Sequence, residues 1–236
     1  MNVSIVIPTY NEEKNIRKTV YKILKFLKKE NYDFEIIIID DNSKDKTQYE
    51  LKKIKKNKKI RILKNKKNMG KGYSVKKGIL NAKKDYVLFS DADLSTPIKE
   101  LKNFEKYLNY DIVIASRALK ESKISKKQPI LRIFLGKIFN LLVQIIALKG
   151  IKDTQCGFKL LKKDVAKNIF SKMTINRWGF DVEMLFLAKK NKYLIKEVPV
   201  EWINDENTKL NPVKDSMNML MDLLKIRYNN IMGKYK

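Results

Sequence analysis

Hydrophobic residues in this chain fall into two alternating patterns. Residues 3–7 and 35–39 are almost unbroken β-branched runs, the mark of strands buried on both faces. Between them Ile16, Val20, Ile23, Leu24 and Leu27 recur at helical spacing through about Lys29, with Asn11 placed to cap and Glu12 and Glu13 at the positive end of the helix dipole. Each strand run stops at a polar cluster, Pro8-Thr9-Tyr10-Asn11-Glu12 after the first and Asp40-Asp41-Asn42-Ser43 after the second. Two strand-loop-helix units in succession predict parallel strands joined by right-handed crossovers. The pattern continues with a polar helix over 44–57, a strand over 58–64, a helix over 73–82 and a strand ending in Ser90. A helix over 98–108 and a strand over 111–115, closed by Ser116-Arg117, complete this half.

After Lys127 the pattern changes. Residues 130–149 are apolar on nearly every face, with Arg132, Gly136, Asn140 and Gln144 forming one narrow stripe. Such a helix is either buried or in contact with a membrane. Because it carries Arg132, Lys137 and Lys149, insertion in the plane of the interface fits better than spanning, with core packing as the alternative. A turn at 153–157 then enters a short strand, and a helix follows from about Lys163. Arg177-Trp178-Gly179-Phe180-Asp181-Val182-Glu183 opens another helix, 194–203 alternates as a strand, and 205–210 form a loop. Pro212 starts a last amphipathic helix, over 212–232, with Val213, Met217, Leu220, Leu224, Tyr228 and Ile231 on one face.

The whole predicts one α/β domain over residues 1–236. The chemistry concentrates where residues 86–97 pass from Tyr-Val-Leu-Phe-Ser to Asp91-Ala92-Asp93. Residues two apart on an extended segment face the same side, so Asp91 and Asp93 present oxygens suited to Mg2+ or Mn2+. Helix capping before Pro97 is the alternative reading of the same carboxylates. Asp181 and Glu183 are likewise either helix caps or members of the same cleft. Arg117 stands at the carboxyl end of a strand, where open α/β sheets bind ligands.

Composition narrows the classes. The 236 residues include 52 Lys and Arg against 26 Asp and Glu, a formal net charge of +26, with no histidine and a single cysteine, Cys156. Catalysis through imidazole is excluded, as are histidine-ligated zinc and an intramolecular disulfide. The charge favours anionic partners such as nucleotides or an anionic membrane surface. Lys120, Lys123, Lys126 and Lys127 precede the apolar helix, so residues 118–149 are expected at a membrane interface. Asn68-Met69-Gly70-Lys71-Gly72 lacks the spacing of a phosphate-binding loop, and no glycine-rich dinucleotide fingerprint follows a strand. With no nucleic-acid motif either, no nucleic acid is expected as a partner. No signal peptide and no clear transmembrane span are expected.

Taken together, Pro8-Thr9-Tyr10-Asn11-Glu12, Asp40-Asp41-Asn42-Ser43, Asp91-Ala92-Asp93 and Ser116-Arg117 resemble, in order and spacing, the inverting family 2 glycosyltransferases of the GT-A fold, a Rossmann-like, mostly parallel sheet flanked by helices. Asp153-Thr154-Gln155-Cys156-Gly157-Phe158-Lys159-Leu160, Arg177 to Glu183 and Asn207-Thr208-Lys209-Leu210 are similar to the polyprenyl and dolichyl phosphate branch, in particular its β-glucosyltransferases. The resemblance implies that Pro8, Tyr10, Glu12, Ile39 and Asp41 hold base and ribose. Asp91, Ala92 and Asp93 then hold the diphosphate through Mg2+ or Mn2+, and Arg117 and Lys209 meet the acceptor phosphate. Gln155 joins Asp181 and Glu183 as a cleft candidate. Ser95 stands where the mannosyl branch often has Gln, which favours UDP-glucose over GDP-mannose as donor. The implied setting is the cytoplasmic face of a membrane, with polyprenyl or dolichyl phosphate as acceptor.

Overall fold

Strands β1 (Asn2–Thr9) and β2 (Asp33–Asp40) run side by side and parallel, Asn2 opposite Asp33 through Thr9 opposite Asp40. The computed structural model describes residues 1–126, 130–204 and 212–235. β3 (Ile60–Lys64), β4 (Tyr86–Ser90), β5 (Ile112–Ser116), β7 (Phe158–Lys162) and β8 (Ile195–Pro199) complete a seven-stranded sheet in the order β3-β2-β1-β4-β7-β5-β8. β7 alone is antiparallel to its neighbours, β4 and β5.

Side chains alternate across the strands and feed two cores. Ile5, Ile7, Ile36, Ile38 and Leu88 face one layer, built on α1 (Ile16–Lys29), α2 (Thr47–Ile54) and α4 (Leu101–Phe104). Val6, Ile37, Ile39, Val87 and Phe89 face the other, built on α3 (Lys71–Leu80), α6 (Lys163–Lys172), α7 (Phe180–Lys190) and parts of α5 (Ile130–Ile146) and α8 (Pro212–Ile231). The helical spacing read for α1 is the buried stripe: Ile16, Val20, Ile23, Leu24 and Leu27 all point inward, and each contributes roughly 1.5–3 kcal/mol by leaving water.

Several boundaries differ from the sequence reading. Asn11 does not cap α1. It takes a left-handed φ of 52° and its side chain accepts the Lys44 N–H at 2.8 Å, while the helix begins at Ile16. The helix expected over 98–108 shrinks to α4 between two 3-10 turns. The strand expected over 194–203 divides into β8 and β9 (Glu201–Ile203), the latter pairing with β6 (Lys123–Lys126) in a separate two-stranded sheet. Val200 makes the division: its carbonyl accepts the Lys123 N–H at 3.0 Å and its N–H donates to Ser122 Oγ at 3.3 Å.

The polar stripe of α5 fastens a turn: the Asn140 side-chain amide donates to the Lys152 carbonyl at 3.0 Å and Gln144 Oε1 accepts the Gly150 N–H at 2.8 Å. Phe139 and Val143 enter the core, whereas Ile138, Leu141 and Ile145 remain exposed. Among the described residues no helix is long and apolar enough to cross a membrane.

Candidate active site

The carboxyl ends of β1, β2, β4 and β5 share one rim of the sheet, and three of them turn through left-handed non-glycine residues: Asn11, Asn42 and Leu94, with φ of 52°, 60° and 52°. That conformation costs energy and persists where surrounding bonds over-determine it. Those bonds are present. The Asn11 N–H donates to Ser43 Oγ at 3.0 Å and the Glu12 N–H to Thr47 Oγ1 at 2.7 Å, so the loops after β1 and β2 are laced together. After β4, the Leu94 N–H closes a turn on the Asp91 carbonyl, Asp93 Oδ1 accepts the Ser95 N–H at 2.8 Å, and the Ala92 carbonyl accepts Thr19 Oγ1–H at 2.6 Å.

The antiparallel insertion of β7 sets what stands beside the carboxylates. Ser90 lies opposite Phe158, so the loop at 153–157 enters the rim between Asp91 and Arg117, and the Asp91 N–H donates to the Gly157 carbonyl at 3.2 Å. Asp91 Oδ1 receives the Lys71 ammonium at 2.6 Å. Burial, then the neighbouring charge of Asp91, push the Asp93 carboxyl up to about 6, against the Ser95 N–H and Lys71. Burial also raises Asp181, opposed by Lys159 and Lys71. Lys159 itself is fully buried, donates to Asp181 Oδ1 at 2.5 Å and to the Cys156 carbonyl at 2.7 Å, and lies over the Phe89 ring. A pair of neighbouring carboxylates, in which burial and the charge of Asp91 both disfavour the charge on Asp93, is a donor set that a hard divalent cation suits. Asp91 and Asp93 would suit Mg2+ or Mn2+ as a pair of oxygen donors; among the described residues no group of three or more acidic, His or Cys side chains is assembled.

On the β2 side the candidate residues are tied into the fold. Asp41 reaches the rim, but its buried carboxylate accepts Asn65 Nδ2, the Met69 N–H and the Gly70 N–H at 2.7, 2.8 and 2.8 Å. It clamps the loop that launches α3. The Ile39 side chain packs into the core with Val6 and Val75. Pro8 is buried opposite Ile39, while Tyr10 and Glu12 lie partly exposed in the laced loops, the Glu12 carboxylate accepting from the Asn15 amide at 3.0 Å.

On the β5 side, Arg117 is latched. Its Nε and backbone N–H reach Asp153 Oδ2 at 2.7 and 2.8 Å, its Nη2 reaches Oδ1 at 2.9 Å, and Trp202 lies 5.3 Å beneath the guanidinium. Burial alone would raise the Asp153 carboxyl, but Arg117 outweighs it and holds the group at about 2. Gln155 stands next to this pair, its amide N–H directed at Met219 Sδ of α8.

Asp181 joins the cleft network, but Glu183 does not. Two residues apart on a helix lie about 200° apart around its axis, and the Glu183 carboxylate is wholly buried among Thr174 N–H, Thr174 Oγ1, Ile175 N–H and Tyr235 OH, at 2.6–2.9 Å. Its placement is structural. Lys209 lies outside the described residues, as do Lys127 and the loop at 205–211. Lys71, Lys159, Asp153 and Thr19 were missed from sequence. Asp153 and Lys159 had a local signal in the motif over 153–160, Lys71 lay in the glycine-flanked segment at 68–72, and Thr19 had none.

A family model described as Glycosyl transferase family 2 matches residues 4–170, which carry the laced loops, the Asp91/Asp93 turn and the Arg117 latch. The chain belongs to that family. The dolichyl-phosphate beta-glucosyltransferase of Dictyostelium discoideum is 39% identical over 99% of this glycosyltransferase and 76% of its own length. The human enzyme of the same name is 35% identical over 99% and 77%. Among solved structures, glucosyl-3-phosphoglycerate synthase from Mycobacterium tuberculosis, in complex with Mn2+, UDP-glucose and phosphoglyceric acid, superposes with a TM-score of 0.69 at 14% identity, covering 99% of this chain and 79% of that one. The family 2 glycosyltransferase thus has the GT-A architecture, with its rim of acidic turns at the carboxyl edge of a mostly parallel sheet.

Proposed function

We propose that this glycosyltransferase transfers glucose, with inversion, from UDP-glucose to dolichyl or another polyprenyl phosphate at a membrane surface. The observation that carries the reading is near full-length likeness to dolichyl-phosphate beta-glucosyltransferases together with an acidic turn, Asp91-Ala92-Asp93, beside an oriented arginine. Asp91 and Asp93 would hold Mg2+ or Mn2+, which when bound neutralises charge on the departing nucleoside diphosphate.

The chain's own residues do the positioning. A lipid monophosphate is already ionised near neutral pH, so its oxygen attacks the anomeric carbon without a general base, and a chain with no histidine loses nothing thereby. Asp153 takes two of the five guanidinium N–H donors of Arg117 and fixes its plane, leaving the others for an acceptor phosphate. Lys209 is assigned to the same phosphate by the motif it belongs to. The laced loops at 10–13 and 43–47 would frame the base, with Tyr10 and Glu12 on the open side and Pro8 and Asp41 behind them.

Membrane contact is assigned to α5 and α8, which pack on each other. Ile138, Leu141 and Ile145 on the first and Met217, Met221, Leu224, Tyr228 and Ile231 on the second are exposed at the spacing of a single helical face. Exposed Lys149, Lys225 and Arg227 lie on or next to these two helices and suit anionic headgroups. Met219, on α8, meets Gln155 next to the Arg117 latch, so the helix assigned to the lipid reaches the part of the cleft assigned to the lipid's phosphate.

The test is transfer of radiolabel to detergent-dispersed polyprenyl phosphate with Mg2+ or Mn2+, offering UDP-glucose and GDP-mannose in parallel. Chloroform-extractable label from UDP-glucose alone is the expected result. Label from GDP-mannose alone would keep the mechanism and overturn the sugar, and label from neither would overturn the acceptor.

A further inference from the structure

The Lys71 ammonium occupies the face of Asp91 that a divalent cation would need. It bonds Asp91 Oδ1 at 2.6 Å, and its backbone is held on both sides. Upstream, Asp41 grips the Met69 and Gly70 N–H groups. Gly70 takes a φ of 100°, and a β-carbon there would stand 2.5 Å from the Asn176 carbonyl oxygen, so the chain passes where no side chain fits. Downstream, the Tyr73 N–H donates to that same Asn176 carbonyl at 3.0 Å. The lysine is aimed by the fold rather than resting on the surface.

The charges around it are uneven. Asp91, Asp93 and Asp181 share the rim with Lys71 and Lys159. Lys159 is fully buried and bonded to Asp181 and the Cys156 carbonyl, with no direction in which to move. The Lys71 side chain is partly open, and the Trp178 ring lies 5.5 Å from its ammonium, a second place for the charge to rest. A divalent cation arriving alone must either displace Lys71 from Asp91 or accept its repulsion. A nucleoside diphosphate removes that conflict, because it offers the ammonium another anion.

We propose that Lys71 is a built-in counter-cation that occupies Asp91 while the nucleotide site is empty and transfers to the diphosphate when nucleotide binds, so that metal and nucleotide enter as a coupled pair. The proposal rests on the assignment of Asp91 and Asp93 to the metal. By linkage, nucleotide must tighten metal binding by the same factor that metal tightens nucleotide binding. Because a diphosphate also supplies metal ligands of its own, coupling in the wild-type chain is not sufficient. The part owed to Lys71 is the penalty on metal binding without nucleotide.

The experiment is calorimetric titration of the full chain with Mn2+, with and without saturating UDP, on wild type, Lys71→Met, Lys71→Gln and Lys71→Arg, each checked by circular dichroism. Lys71→Met is expected to bind Mn2+ at least tenfold more tightly than wild type in the absence of UDP and to bind UDP more weakly. Lys71→Gln guards against a folding failure of the first variant and must show the same gain, while Lys71→Arg keeps wild-type behaviour. Unchanged nucleotide-free Mn2+ affinity in both neutral variants, with UDP-dependent Mn2+ binding retained, overturns the counter-cation role alone. Absence of Mn2+ binding in wild type even with UDP overturns the metal assignment and the proposal with it.

Discussion

A β-carbon on Gly157 would stand 2.0 Å from Oδ2 of Asp91. The first residue before β7 and the first residue after β4 are therefore packed backbone against carboxylate, joined also by the Asp91 N–H to the Gly157 carbonyl. Gly157→Ala must turn the Asp91 carboxylate off Lys71 or part the two strands. Because a displacement near 1 Å at a reacting centre costs on the order of a hundredfold in rate, kcat/KM for glucose transfer is expected to fall by about that factor with the circular dichroism spectrum preserved. Wild-type turnover in this variant would remove Asp91 from the machinery.

That contact also marks where sequence reading stops. The buried runs of β1, β2 and β4 and the polar clusters closing them were legible, because a strand buried on both faces leaves few alternatives. The direction of β7 was not, since Phe158 to Lys162 read the same in either orientation, yet its reversal is what brings Gly157 to Asp91. That the Ile39 side chain enters the core was not legible, because a run buried on both faces does not say which layer each side chain enters. Glu183 could have been separated from Asp181 by helical angle alone. Lys71 and Lys159 each lie in a segment singled out from sequence, but among 52 basic residues nothing in those segments says that the ammonium turns inward.

The Arg117–Asp153 latch predicts a specific acid limb. Asp153 has a folded pKa of about 2 against an ordinary 3.8, so the unfolded chain binds the proton more readily. Its stabilisation is complete above about pH 4 and disappears as pH falls through about 2, and is worth roughly 2 kcal/mol. Asp153→Asn should lower stability at pH 7 by roughly 3 kcal/mol, since it also strands a buried guanidinium, and the difference from wild type should shrink between pH 4 and pH 2. Urea denaturation at pH 7, 5 and 3 measures both; a difference independent of pH would mean that the pair contributes no linkage.

Glu183 is expected to matter to stability and not to donor binding. Its carboxylate accepts the Thr174 and Ile175 N–H groups and ties Tyr235 to the start of α7. Removing it leaves buried donors without partners, at about 1–3 kcal/mol each. Glu183→Ala should therefore lose roughly 4 kcal/mol and about 10 °C in Tm, while Tyr235→Phe loses about 1 kcal/mol. The KM for the sugar nucleotide in the folded fraction should stay within about twofold of wild type. A tenfold rise would return Glu183 to the cleft.

The exposed stripe of α8 is the most direct handle on the membrane assignment. Ile231 is 79% exposed and Leu224 49%, and burying each in the acyl boundary contributes roughly 1.5–3 kcal/mol. Basic residues beside them add attraction that salt screens over about 10 Å at 0.1 M. Leu224→Glu combined with Ile231→Glu replaces apolar contact by charges repelled from anionic lipid. Sedimentation with phosphatidylserine vesicles should then fall at least tenfold, and wild-type binding should weaken as salt is raised. Because neither side chain reaches Asp91, Asp93 or Arg117, turnover of a short, water-soluble polyprenyl phosphate should be unchanged, and only transfer to long-chain acceptor in vesicles should drop. Unaltered sedimentation would move the lipid contact away from α8, and equal loss on both acceptors would mean that the stripe supports the fold instead.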